Sequence, residues 1–292
     1  MPKQTITRIE EIKPVISLAS GQQLPLSRPL VIGVLNVTPD SFSDGGHYIF
    51  TKEAIKRALT MEQEGADIID IGGESSRPGA KPISADEEIK RVIPVIEGVR
   101  RVSSVPISID TYKASTAKVA LEAGADIVND ISALRFDMKM VEVLSKTKAP
   151  VILMHMLGTP QNMQLNPHYE NCVNEIYSFF KERIAYCLNN GIDKAKIIID
   201  PGIGFGKRLS DNIEIISRLS ELLSLERPIL IGTSRKSFIH MLHPADYPAE
   251  KRIGGSLASM VMGILNGAKL VRVHDVAETV EALKIIWALK GN

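Results

Sequence analysis

The chain has 292 residues, with 35 Lys+Arg against 34 Asp+Glu, for a formal net charge of +1. That balance, with no dense basic block, excludes a protein held mainly by long-range attraction to nucleic acid or anionic lipid. Hydrophobic residues at 44% and charged residues at 24% describe a globular chain and exclude extensive disorder. The length fits two domains of ~150 residues or one α/β barrel of about 250.

Residues 1–28 stand apart from the rest of the chain. The runs at 5–9 and 15–26, with Gly21 as the turn, predict a β-hairpin that would plug the N-terminal mouth of a barrel. The N-terminus lacks the apolar core of a signal peptide. From Pro29 onward, short apolar runs alternate with amphipathic helical stretches. The runs are 30–36, 67–73, 106–110, 127–132, 151–156, 197–200, 229–234 and 270–274. Helical patterns cover 51–64, 85–102, 113–122 and 171–190. Several runs are apolar on both faces, as in Val31-Ile32-Gly33-Val34-Leu35, which marks parallel strands covered on both sides. Eight such units, 34 residues apart on average from Asn36 to His274, predict one α/β domain, a (β/α)8 TIM barrel over 29–292 behind the hairpin. An open doubly wound sheet is the competing arrangement. The apolar stretch 257–265 needs a cover. The region 256–273 is broken by Asn266, Lys269 and Arg272, too polar to span a bilayer. Cys172 and Cys187 match no metal-ligand spacing and read as reduced thiols. A soluble, cytoplasmic protein is expected, without a membrane or nucleic-acid partner.

Each run ends in polar residues, and barrel sites form at that end. Asn36, Asp110, Asp200 and Arg272 close apolar runs, where an unpartnered polar group is costly. Thr233, Ser234 and Asp130 serve equally well as local caps. Two loops, 36–46 rich in Gly, Ser and Asp and 72–79 rich in Gly and Ser, read as mobile lids. The glycines of 200–207 fit neither a P-loop nor a dinucleotide fingerprint, and read as close backbone approach to a flat ligand. Ser234-Arg235-Lys236-Ser237 opens a helix and suits an anion. His155 reads as a core histidine. A catalytic zinc is not expected, whereas Mg2+ needs only one protein oxygen, such as that of Asn36, beside substrate phosphates.

The motifs NVTPDSFSDGG (36–46), SSRPG (75–79), Ser108-Ile109-Asp110-Thr111, Asn129-Asp130, DPGIGFGK (200–207), Ser234 to Ser237, and Arg272-Val273-His274 resemble the dihydropteroate synthase family, in the family's order. The resemblance implies a pterin-binding barrel, usually a homodimer, and the sulfonamide-inhibited step of folate synthesis. In that step 4-aminobenzoate displaces pyrophosphate from (7,8-dihydropterin-6-yl)methyl diphosphate. It implies that Asp110, Asn129, Asp200 and Lys236 line the pterin pocket and that Met154 and Phe205 touch the ring. It further implies Arg272 and His274 on the diphosphate and Asn36 on Mg2+. Ser76, Arg77 and Ser237 would shape the aminobenzoate site. Asp44, Lys236 and Arg272 would carry the chemistry, Asp44 by stabilising cationic charge on the pterin methylene. Ser76 stands where the family usually has Thr. Other readings are a corrinoid methyltransferase on the same barrel, an aldolase using Lys236 as Schiff base, and a non-catalytic pterin-binding protein.

Overall fold

The computed structural model describes residues 15–38, 47–243 and 247–290. An antiparallel hairpin comes first, β1 (Val15–Ser17) with β2 (Gln23–Pro25), and the chain reverses at Gly21 as predicted. The run at 5–9 lies outside the described residues.

Eight parallel strands follow among the described residues: β3 (Leu30–Asn36), β4 (Ile68–Gly72), β5 (Ile107–Asp110), β6 (Ile127–Asp130), β7 (Val151–Met154), β8 (Ile197–Asp200), β9 (Leu230–Ile231) and β10 (Leu270–Val273). The helices α1 (His47–Glu64), α2 (Ala85–Arg100), α3 (Ala114–Glu122), α4 (Met140–Thr147), α5 (Cys172–Asn189) and α6 (Leu209–Ser217) each return the chain to the next strand. After β9 come the short α7 (Ser237–Met241) and α8 (Ile253–Leu265), and α9 (Val276–Lys290) follows β10. Sheet neighbours are sequence neighbours, β3 pairs with β10, and a parallel bridge from Ile199 to Ile229 closes the circle. The expected barrel is therefore present and the open sheet is not.

Five strands, β4, β6, β7, β9 and β10, stop short of their predicted ends. At β6 the reason is local. The Asp130 carboxylate accepts the backbone N–H groups of Ser132 at 2.7 Å and Leu134 at 3.1 Å, so the chain turns there instead of extending.

The alternation of each strand sorts its side chains into two environments. Ile69, Ile71, Ile107, Ile109, Val128 and Leu153 point outward into the layer shared with the helices. Inside the barrel, Ile32, Ile68, Ile127, Ile152, Ile198, Leu230 and Leu270 pack with Ile16, Leu18, Leu24 and Leu26 of the hairpin region. This apolar floor plugs the N-terminal mouth. Two residues further along the same strand faces stand Asp70, Asn129, Met154, Asp200 and Arg272. Side-chain caps start two of the helices: Ser84 Oγ accepts the Glu87 N–H at 3.2 Å at α2, and Asn171 Oδ1 accepts the Asn174 N–H at 3.2 Å at α5. No helix among the described residues is long and apolar enough to cross a membrane.

Candidate active site

The layer above the floor opens into a pocket of about 430 Å³ at the C-terminal ends of the strands. Asp110, Asn129, Met154, Asp200 and Arg272 reach it from five strands, with His274 just beyond β10. Loops contribute Ser76, Phe205, Ser234 and Lys236.

The cations and carboxylates here are interlocked. Arg272 Nε donates to Asp70 Oδ2 at 2.6 Å and Nη2 to Asp110 Oδ2 at 2.7 Å. Asn129 Nδ2 donates to the same Asp70 oxygen at 3.2 Å. Desolvation works against the guanidinium charge, but Asp70 and Asp110 outweigh it and hold Arg272 above its ordinary range. Burial pushes the Asp110 carboxyl up to about 7, with Arg272 opposing and Asp70 reinforcing. Burial also raises Asp200, against the Gly202 N–H at 2.8 Å and the Lys236 charge. Lys236 is lowered to about 8 by burial and by Arg272. Its ammonium lies 3.9 Å from the centre of the Phe205 ring, a cation–π contact.

His274 is neutral at pH 7. Burial, then Arg272 and Arg235, push it down to about 3. Ser234 Oγ accepts the His274 backbone N–H at 3.2 Å and lies 3.0 Å from Nδ1. The Ser234 hydroxyl can donate to Nδ1 in the tautomer in which Nε2 carries the N–H toward a ligand.

The β8-to-α6 loop adds a second reason for its glycines. A Cβ at Gly202 would lie 2.0 Å from the His155 carbonyl oxygen, and one at Gly206 would lie 2.7 Å from that of Leu157. These two glycines permit close approach to the neighbouring loop backbone, and Gly202 also lines the pocket. The junction is stapled by Lys207, whose buried ammonium donates to Phe205 O at 3.0 Å and sits 3.0 Å from His155 Nδ1. His155 is accordingly a satisfied core histidine, held well below its usual range by burial and by Lys207.

Some expected residues stand outside the pocket wall. Asn36 is half-buried at the end of β3, and its side chain has no hydrogen-bond partner among the described residues. Arg77 is exposed on the β4-to-α2 loop, and Ser237 is exposed at the start of α7. Asp44 lies outside the described residues. Asp130 caps its own turn, whereas Thr233 Oγ1 donates to Ser256 O at 3.3 Å and Ser234 pairs with His274 across the rim and also lines the pocket. Asp70, fully buried beneath Arg272, is one of the polar residues that close the apolar runs, and the sequence alone assigns it no role. Its signal is a lone carboxylate within Ile68-Ile69-Asp70-Ile71.

Comparison with known proteins agrees with this geometry. The model of the family described as pterin binding enzyme matches residues 32–274. The chain is 46% identical to the dihydropteroate synthase of Escherichia coli (strain K12) over 270 residues, 92% of this chain and 95% of that one. The solved Xanthomonas albilineans dihydropteroate synthase with 4-aminobenzoic acid superposes with a TM-score of 0.90 at 42% identity, covering 96% of this chain and 99% of that one. The same enzyme in complex with 7,8-dihydropteroate gives 0.84 at 37% identity, covering 96% and 99%. The chain belongs to the dihydropteroate synthase family of pterin-binding enzymes.

Proposed function

We propose how this pocket performs the family's reaction, the condensation of (7,8-dihydropterin-6-yl)methyl diphosphate with 4-aminobenzoate to 7,8-dihydropteroate and pyrophosphate. The observation that carries the reading is the meeting, in one pocket, of buried Asp110 and Asp200 with Asn129, Lys236 and Arg272. The pterin edge presents a fork of N–H donors that a carboxylate accepts in pairs. Asp200 takes that edge, and Asp110 and Asn129 extend the contact. Met154 and Phe205 cover the ring faces. A donor-rich ligand favours the ionised carboxylates and so draws both acids back toward their ordinary range.

Arg272 and the neutral Nε2–H of His274 hold the diphosphate. Asn36 is the residue that would hold Mg2+. Its amide oxygen is uncommitted, and no cluster of three His, Cys, Asp or Glu suited to a metal occurs among the described residues. That donor set fits an ion carried mainly by substrate phosphates and water. When bound, Mg2+ neutralises charge on the departing pyrophosphate. The arylamine nitrogen bonds to the pterin methylene carbon, the carbon–oxygen bond breaks with its electron pair on pyrophosphate, and the amine proton passes to solvent. Asp44 is assigned to the methylene cation, and Ser76, Arg77 and Ser237 to the aminobenzoate, where sulfonamides compete. The arylamine needs no strong base, so the site needs no nucleophilic triad.

A homodimer and a cytoplasmic setting complete the proposal. On α8, Met260 and Ile264 are buried, whereas Met262 and Leu265 stay 47% and 52% exposed; Ile285 and Leu289 on the adjacent α9 are 57% and 83% exposed. That apolar face suits a second copy, and sedimentation at low concentration should show a dimer. The two free, buried thiols, pushed up to about 12 by burial, suit a reducing compartment. The deciding experiment is a coupled pyrophosphate assay with each component omitted in turn. Release should require both substrates and Mg2+. No turnover with all three present overturns the reaction, and full turnover in chelator overturns the metal.

A further inference from the structure

The β4-to-α2 loop, which reads as a mobile lid in the sequence, is tied at both ends. At its base, Glu74 Oε2 accepts the Ile83 N–H at 2.9 Å, closing residues 75–82 into a loop. The same oxygen accepts the Lys113 ammonium at 2.6 Å, and Oε1 accepts the Tyr112 hydroxyl at 2.7 Å. Lys113 also reaches Glu88 Oε2 at 3.0 Å, and that buried carboxylate takes the hydroxyls of Thr111 and Thr116. The Glu74 side chain is only 10% exposed and that of Glu88 is 1% exposed, so little water competes for these bonds. At the tip, the Ala80 N–H closes a turn onto Arg77 O at 3.0 Å around Pro78 and Gly79. Gly79 has φ 78°, the left-handed position that a Pro-Gly turn requires. Its N–H reaches Pro160 O at 3.0 Å. From this frame Ser76 lines the pocket and Arg77 stands exposed beside it.

We infer that Glu74 is a positioning residue whose carboxylate sets the loop from which Ser76 and Arg77 meet 4-aminobenzoate. It therefore governs affinity for that substrate and leaves pterin affinity alone. Glu74 itself is absent from the pocket lining among the described residues. The inference rests on the assignment of Ser76 and Arg77 to the aminobenzoate made above.

The test uses the full-length protein. Glu74→Ala should raise the KM for 4-aminobenzoate roughly tenfold, the loss of charge-assisted bonds of about 1.4 kcal/mol. The dissociation constant for a bare pterin, measured by calorimetry, should stay within about twofold. Glu74→Gln should restore most of the KM. Its amide oxygen still accepts from Ile83 and Lys113, and its NH2 can donate to the Tyr112 oxygen. Tyr112→Phe removes one of the bonds to Glu74 and should raise the same KM about threefold, which keeps the idea testable if Glu74→Ala does not fold. Equal losses for both substrates, or an unchanged KM in every variant, overturn the inference. Arg77→Ala separates two failures. A KM raised by Arg77→Ala but not by the Glu74 variants overturns this inference alone. A KM moved by neither overturns the loop's assignment to aminobenzoate and this inference with it.

Discussion

Ile198 and Asp200 stand on the same face of β8, two residues apart, yet one belongs to the floor of the barrel and the other to its rim. The floor is closed by the hairpin region and consists of buried Ile and Leu side chains. It is held by burial alone, each large aliphatic side chain contributing about 1.5–3 kcal/mol. The rim holds Asp200 buried and Asp110 and Lys236 partly buried, and burial displaces the pKa of all three against the charged form. One strand thus supplies stability at one level and binding at the next. The two levels should respond oppositely to substitution.

The largest expected contrast comes from that pair. Asp200→Asn should weaken pterin binding roughly 100-fold, as expected for about 3 kcal/mol of charge-assisted bonding. Its melting temperature should hold or rise, because a buried charge is removed. Ile198→Ala should lower stability by about 2–5 kcal/mol while pterin affinity, measured on the folded fraction, changes little. Calorimetry and thermal melting on both variants check this. A destabilised Asp200→Asn with intact affinity would break the distinction between floor and rim.

A smaller effect sharpens the electrostatic half of the contrast. The Asp110 carboxyl rises from 3.8 to about 7 on folding. Between those values the folded chain binds a proton that the unfolded chain has lost, so this group's contribution to stability falls as pH rises through the window. Lys236 drops from 10.5 to about 8, so its contribution rises with pH between those values. The ligand-free protein should therefore be least favoured by this pair near pH 7 to 8, where both are charged. Asp110→Asn should flatten the acid side of that profile by at least ~1 kcal/mol between pH 5 and 8. An unchanged profile of melting temperature against pH in the variant would show that the rim carries no such strain.

Much of this was legible in the sequence because the barrel repeats one instruction. A β-type run apolar on both faces and ending in a polar residue announces both a buried parallel strand and a pocket residue at its end. Asn129, Asp200 and Arg272 were found that way. Asp70 is visible as a polar residue near the end of its run, but its strand continues past it to Ile71 and Gly72, so nothing in the sequence marks it as the partner of Arg272. The Glu74–Lys113–Glu88 ties join residues on separate loops and helices. No periodicity encodes such long-range pairing. The glycines at 202 and 206 were visible, but what they approach is a neighbouring loop whose position only the closed barrel fixes.

The smallest effect concerns Ser76, where the family usually has Thr. Its side chain is half-buried at the pocket wall, on a loop already tied down by Glu74 and Pro160. Ser76→Thr keeps the hydroxyl, adds a methyl and narrows the choice of rotamers. A fully buried methylene is worth about 0.8 kcal/mol, and at a half-exposed wall roughly half of that applies. The KM for 4-aminobenzoate should therefore fall by about twofold, and that for the pterin substrate should not move. A larger gain would mean that the loop is looser in solution than its hydrogen bonds imply. A gain shared by both substrates would mean that the added methyl reaches the pterin level of the pocket, and that the division of the rim between the two substrates is drawn in the wrong place.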